Sequence, residues 1–295
     1  PDMSNLQDTP LLQREVSRCI FYMMFGKWLK DDEADVLIGW RTNALWFILP
    51  RLVQRFLFNI GINKVKKLRK DTVAIIERYD LQDVFERMNE GLGSWKREAT
   101  VKLCDEIMYA LGFAGIGGTS SAVESVAAFL QVRFPKEAAA KHIDFGAYDT
   151  PAKMLSAYRS DPERYIRETV RMDPPVTSAT AALKERARVT LAGREFELPE
   201  GLLNQYALSM ANRDDTLFPD PEKFDPGRPN LNMALTWNGA FGATNECDFP
   251  RICPGRHLSL DVAQAVIGHI VGVEATGGAS RGVASPLSMR CCCGR

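Results

Sequence analysis

One stretch constrains this chain more than any other. From Arg97 to Phe134 it reads REATVKLCDEIMYALGFAGIGGTSSAVESVAAFLQVRF, with apolar side chains recurring three and four residues apart. The spacing predicts a helix over about 98–133, long enough that other elements must pack along it. Its centre, GFAGIGGTSS over residues 112–121, holds four glycines. Each costs about 1 kcal/mol relative to alanine in a helix interior. Such a cost implies a local kink or the close approach of something flat.

Helical periodicity also runs through LLQREVSRCIFYMMF and DTVAIIERYDLQDVFERM. After the charged segment KEAAAKHIDFG a short helix is expected near 152–158. A second is expected over about 161–172, with Ser160 or Asp161 as cap, Pro162 in its first turn, and Asp173-Pro174-Pro175 ending it. From 176 to 210 the pattern shortens to ARVTLAG and REFELPEG, a small β-sheet with turns at Gly193 and Gly201. Residues 211–252 are rich in Asn, Asp, Pro and Gly without periodicity, a loop far beyond the usual limit of about 15 residues, and long ordered loops carry function. One more helix is expected at about 257–271. The remainder, 273–295, ends in Cys291, Cys292 and Cys293 and is expected to be disordered. The fold class is mainly α with a small β region (α+β).

Among 295 residues, 37 are basic and 37 acidic, and the basic ones form no stripe, so no nucleic-acid partner is expected. Apolar runs such as CIFYMMF and ALWFIL fall short of the roughly 18 to 20 residues that span a bilayer, which leaves a soluble or peripherally membrane-associated segment. The seven cysteines lack the dense, even spacing of a disulfide scaffold, which favours a reducing, intracellular compartment. Because the chain opens on Pro1 with no signal-like segment, it reads as an internal fragment.

Cys253, in FPRICPGRHLSL, admits three readings: a buried thiol, a zinc ligand, or the axial thiolate of a haem iron. A zinc site would draw on Cys247, Cys253, His257 and His269, whose spacings lack the close cysteine pair of structural sites. A haem thiolate needs an electron-rich sulfur supported by backbone N–H groups and a following helix N-terminus. Arg251-x-Cys253-Pro254-Gly255 suits it. Arg251 can pair with a haem propionate, Gly255 lets backbone pass close to a porphyrin, and Pro254 leaves no N–H unsatisfied.

Upstream, Glu168 and Arg171 in RETVR lie one helical turn apart, spaced for an ion pair that Arg228 of PDPEKFDPGRP can complete. This trio, then a loop, then Arg251-x-Cys253-x-Gly255 resembles the ordered signature of the cytochromes P-450 over residues 10–272. The resemblance implies a partial haem domain over 1–272, incomplete at both ends and lacking the N-terminal third. It also implies haem b (iron protoporphyrin IX) bound through Cys253, with the glycine-rich helix crossing its distal face.

Oxygen-activating members carry an acid before a threonine on that helix, for proton delivery. Here Thr119 follows Gly118. A substrate that already contains an O–O bond needs no such relay, no dioxygen and no reductase. ADVLIGWR, FAGIGG, MDPPV, FELPEGLLNQYALSMANRD and the enlarged cysteine loop 237–256, with Trp237, Asn238 and Gly239 at its start, resemble the allene oxide synthase and hydroperoxide lyase family. That likeness implies a fatty-acid hydroperoxide or another lipophilic small molecule as substrate, a distal pocket formed by Phe113, Ala114, Gly118 and Thr119, and a plastid or membrane-associated setting. Ala114 stands where that family has Asn, and Arg251 where the plant enzymes have Lys, departures that point to a relative outside the plant core. Two other readings remain: a monooxygenase that needs NADPH and a reductase, and a truncated, non-catalytic fragment.

Overall fold

The computed structural model describes residues 3–43, 58–81, 110–133, 143–243 and 252–273. The chain divides into two compact units, one of Pro1–Val123 with Asp261–Arg295, the other of Glu124–Leu260. The predicted tail, residues 98–109 of the predicted long helix, Arg251 and Cys247 lie outside the described residues.

In the first unit, α1 (Thr9–Phe25) begins where the Asp8 carboxylate accepts the Leu11 N–H and stops at Gly26, which adopts φ 66°. That left-handed cap suits glycine because no Cβ opposes it. Its buried residues, Leu12, Val16, Ile20, Phe21 and Phe25, follow the helical spacing read from the sequence. Helix α2 (Asp31–Asn43) packs against α1 and against α3 (Phe58–Arg78). Arg14 of α1 grips Asp35 of α2 through two N–H donors at 2.7 and 2.8 Å, and Trp40 of α2 donates its indole N–H to Thr72 of α3 at 2.9 Å.

The glycine-rich stretch is not regular helix. Ala110–Ile116 forms a π-helix, which passes into α4 (Gly117–Leu130). A π turn inserts an extra residue and so re-aims the side chains that follow. Its glycines have different causes. A Cβ on Gly112 would sit 2.9 Å from the Trp40 Cβ, so α2 itself is the close neighbour there. A Cβ on Gly118 would meet nothing within 4 Å.

In the second unit, α5 (Pro151–Ser160) and α6 (Pro162–Met172) abut, and the Asp161 carboxylate caps α6 by accepting the Arg164 N–H. Phe224 sits among edge-on rings, 5.4 Å from Phe129, 5.2 Å from Tyr165 and 5.7 Å from Tyr148, so a loop residue anchors the core. Antiparallel pairs form between β1 (Ala179–Ala182) and β4 (Leu203–Tyr206), and between β2 (Ala187–Leu191) and β3 (Arg194–Leu198). The single small sheet expected from the sequence is therefore two separate ribbons, because β2–β3 closes on itself as a hairpin at Ala192-Gly193, both with positive φ.

Before the expected long loop of 211–252, α7 (Leu208–Ala211) stands at the end of the stretch expected as sheet. The loop itself contains a 3-10 turn at Leu231–Met233 and a third ribbon of β5 (Leu235–Thr236) with β6 (Gly239–Ala240).

Two substitutions separate the glycines. Gly112→Ala should destabilise by about 1–3 kcal/mol, the usual cost of overpacking. Gly118→Ala should stabilise by up to about 1 kcal/mol through helix propensity. Urea denaturation of each variant measures both.

Candidate functional site

Helix α6 is buried along most of its length, from Tyr165 to Met172, including Arg167, Glu168 and Arg171. A buried charge is tolerated only when paired and fully hydrogen-bonded. Arg171 meets Glu168 through both carboxylate oxygens, Nε to Oε2 at 2.7 Å and Nη2 to Oε1 at 2.9 Å. Arg228 adds Nε to Oε1 at 3.0 Å, and the Asp225 N–H donates to the same oxygen at 3.0 Å. Glu168 and Arg171 are completely inaccessible to solvent. The three residues that the sequence placed together are in contact.

The remaining guanidinium donors reach backbone carbonyls of the following loop. Arg171 donates to the carbonyls of Asn212 at 2.6 Å and Pro221 at 2.9 Å. Arg228 donates to those of Pro219, Asp220 and Lys223. Arg164 reaches Pro226 and Arg228, and Arg213 reaches Met172 at 3.0 Å. The loop thus gains hydrogen bonds that no strand ladder provides.

The same helix touches the β5–β6 ribbon. Arg167 places its guanidinium 4.5 Å from the centre of the Phe241 ring and donates to Asn232 Oδ1 at 2.5 Å. Phe241 in turn contacts Trp237 and His257, each at 5.2 Å between ring centres. Trp237 and Asn238 form the turn with φ 51° and 63°. Such values are uncommon for a bulky residue and persist where the surroundings hold them. The turn carbonyl of Trp237 accepts the Cys253 N–H at 2.7 Å. Gly239 is required beside it, since a Cβ there would lie 2.9 Å from Ile252.

Cys253 forms no disulfide and is partly exposed, so it is not the fully buried thiol that one reading allowed. It precedes α8 (Arg256–Val271), whose first-turn amides give a helix N-terminus favourable to negative charge. Pro254 is exposed, and a Cβ on Gly255 would lie 3.7 Å from the Cys253 sulfur. The partly exposed sulfur, set before a helix N-terminus with its backbone N–H held by Trp237, fits a haem thiolate. The zinc grouping finds no support: among the described residues no three His, Cys, Asp or Glu side chains cluster, and His257 and His269 are exposed.

Thr119 and Ser120 are buried in α4, and among the described residues the Ser120 hydroxyl has no hydrogen-bond partner. Phe113 and Ala114 lie in the π-helix, but their side chains fall outside the described set. Sequence reasoning missed Arg164, Arg167, Asn212 and Arg213. The basic residues at three-residue spacing before Arg171 were a legible hint; Asn212 in ANRDD carried none.

Residues 163–271 match the family model described as Cytochrome P450. An allene oxide synthase of Solanum lycopersicum is 25% identical over 235 residues, covering 77% of this chain and 44% of that protein. A cytochrome P450 monooxygenase of Aspergillus niger is 26% identical over 257 residues, covering 79% of this chain and 48% of its own. The solved structure of cytochrome P450 CREJ superposes with a TM-score of 0.59 at 16% identity, covering 90% of this chain and 59% of that one. The family match is confined to residues 163–271, and the superposition shows that the chain has a cytochrome P450 fold. It spans about half or less of the length of the curated relatives it matches.

Glu168→Gln leaves two buried guanidinium groups facing a neutral amide, and should cost about 3–5 kcal/mol. Arg171→Lys should also destabilise, because a single ammonium cannot replace the two-pronged contact or reach both carbonyls. Denaturation midpoints and haem content after purification check both.

Proposed function

We propose that this chain is part of a haem-thiolate enzyme that rearranges, dehydrates or cleaves fatty-acid hydroperoxides, with Cys253 as the axial ligand. The observation that carries this choice is Gly118, at the place of the proton-delivering acid. Packing does not impose glycine there, since its Cβ position is open and its φ is not left-handed. The position is open at Cβ and carries no acid; the next acid along the helix is Glu124. The acid that oxygen activation uses is thus absent from its usual place for a reason other than crowding at Cβ.

A hydroperoxide arrives with its O–O bond formed. Isomerisation only moves atoms, dehydration releases one water, and cleavage divides the molecule, so none needs external electrons. Thiolate-bound haem supplies the electron density that favours O–O cleavage. The chain's own residues do the rest. The turn carbonyl of Trp237 and the N-terminus of α8 hold and polarise Cys253. Ser120, whose buried hydroxyl has no hydrogen-bond partner among the described residues, is a donor that a polar substrate would satisfy. The likeness to the tomato allene oxide synthase over 77% of the chain supports this reading. The likeness to the Aspergillus monooxygenase, over 79%, supports a second one, reductase-dependent oxygenation.

Mixing the ferric protein with a linoleate or linolenate hydroperoxide, without reductant, should consume the conjugated-diene absorbance. Unchanged absorbance rejects the proposal, and turnover only with NADPH and a reductase selects the monooxygenase. Ser120→Ala should slow consumption while raising stability by about 1 kcal/mol, because it deletes an unsatisfied buried hydroxyl. Parallel kinetics and denaturation check that opposition.

A further inference from the structure

The side chain of Asn212 is fully buried and behaves as one residue of a missing strand. Its Oδ1 accepts the Leu235 N–H at 2.7 Å and its Nδ2 donates to the Leu235 carbonyl at 3.1 Å. Its own backbone carbonyl accepts Arg171 Nη1 at 2.6 Å. Leu235 begins the ribbon that pairs with Ala240, and two residues later the Trp237 carbonyl accepts the Cys253 N–H at 2.7 Å. A continuous set of short hydrogen bonds therefore runs from the buried Glu168–Arg171 pair through Asn212 to the ribbon, and on to the cysteine.

We propose that Asn212 is a positioning residue for the Cys253 sulfur, fixing the ribbon whose turn holds the cysteine backbone. This rests on Cys253 being the haem ligand. The ribbon needs such a hold because its two strands have two residues each and its turn has Trp237 and Asn238 at positive φ. Asparagine is suited to the task, since one short side chain presents a donor and an acceptor together; alanine presents neither, and an ionised aspartate only acceptors. Arg167 steadies the far end of the same ribbon by covering Phe241. A ligand's orientation set from outside the metal's immediate contacts is a known lever on affinity, with losses of roughly 10–100-fold when the supporting partner is removed.

The test compares Asn212→Ala, Asn212→Asp, Arg213→Ala and Cys253→Ala. Arg213 is the control, because it adjoins Asn212 and ties the loop to Glu222 and Met172 without touching the ribbon. Two readouts are used: the reduced, carbon-monoxide-bound spectrum of the haem-loaded protein, and the iodoacetamide alkylation rate of Cys253 in the haem-free protein, read on its peptide by mass spectrometry. Asn212→Ala should move most of the red-shifted thiolate band to the position of a neutral ligand, weaken haem retention roughly 10–100-fold, and speed alkylation. Asn212→Asp, which keeps the acceptor for the Leu235 N–H, should fall between; it decides the matter alone if the alanine variant does not accumulate. Arg213→Ala should keep the band and the alkylation rate. A wild-type band and rate in Asn212→Ala, or the same changes in Arg213→Ala, overturns the proposal. If Cys253→Ala keeps the red-shifted band, the ligand reading falls and this one with it; if it abolishes the band while Asn212→Ala does not, Asn212 alone is overturned.

Discussion

A carboxylate that no water reaches, held between two guanidinium groups, organises the second unit of this protein. Burying Glu168, Arg171 and Arg228 removes three charges from water, a cost that attraction offsets only when every remaining donor also finds a partner. The partners are carbonyls of the segment from Asn212 to Lys223. The requirement runs both ways. The arginines need the loop to satisfy them, and the loop, with no ladder of its own, needs the arginines to satisfy its carbonyls. Phe224 then falls among Phe129, Tyr148 and Tyr165, which adds apolar burial at the segment's end.

From that fixed loop the order reaches Cys253 by geometry alone. Asn212 holds Leu235, the two-residue strands β5 and β6 close around Trp237 and Asn238, and the Trp237 carbonyl takes the cysteine N–H. Nothing in this series bears on the electronic character of the sulfur directly. It sets position, while the N-terminus of α8 favours negative charge on the sulfur. Position and electronics are therefore supplied by different residues, and a substitution can alter one while sparing the other.

The parts legible in the sequence were those with a repeating or local rule. The helical spacing of Leu12, Val16 and Ile20, the Asp161 cap and the Gly193 turn follow from neighbours in the chain. Glu168 and Arg171 were legible as a pair from their spacing of one helical turn, and Arg228 joined them through the order of motifs that resembles the cytochromes P-450. The loop after Ala211 is legible as long and ordered but not in its means of order, because that comes from side chains 40 to 60 residues away, which no local pattern records. Asn212 was invisible for the same reason: one asparagine in a polar stretch looks like any turn residue until its amide is seen on Leu235. The π-helix at Ala110–Ile116 lies between these cases, since the glycines announced an irregularity but not its kind.

The glycines of that segment show why composition alone misleads about chemistry. Gly112 is demanded by Trp40, so packing explains it and it says nothing about reaction type. Gly118 is demanded by no neighbour and costs helix propensity, so a reason must be sought outside the local fold. Where a superfamily's oxygen-activating members place an acid, an unforced glycine removes a proton donor that dioxygen chemistry uses and that a preformed peroxide does not require. Ser120, two residues further on and buried with a hydroxyl that finds no partner among the described residues, is a polar group retained at a cost where an apolar one would fit better. Neither Gly118 nor Ser120 is what stability alone would select at its position, and that shared departure is the argument for the polar ligand proposed above.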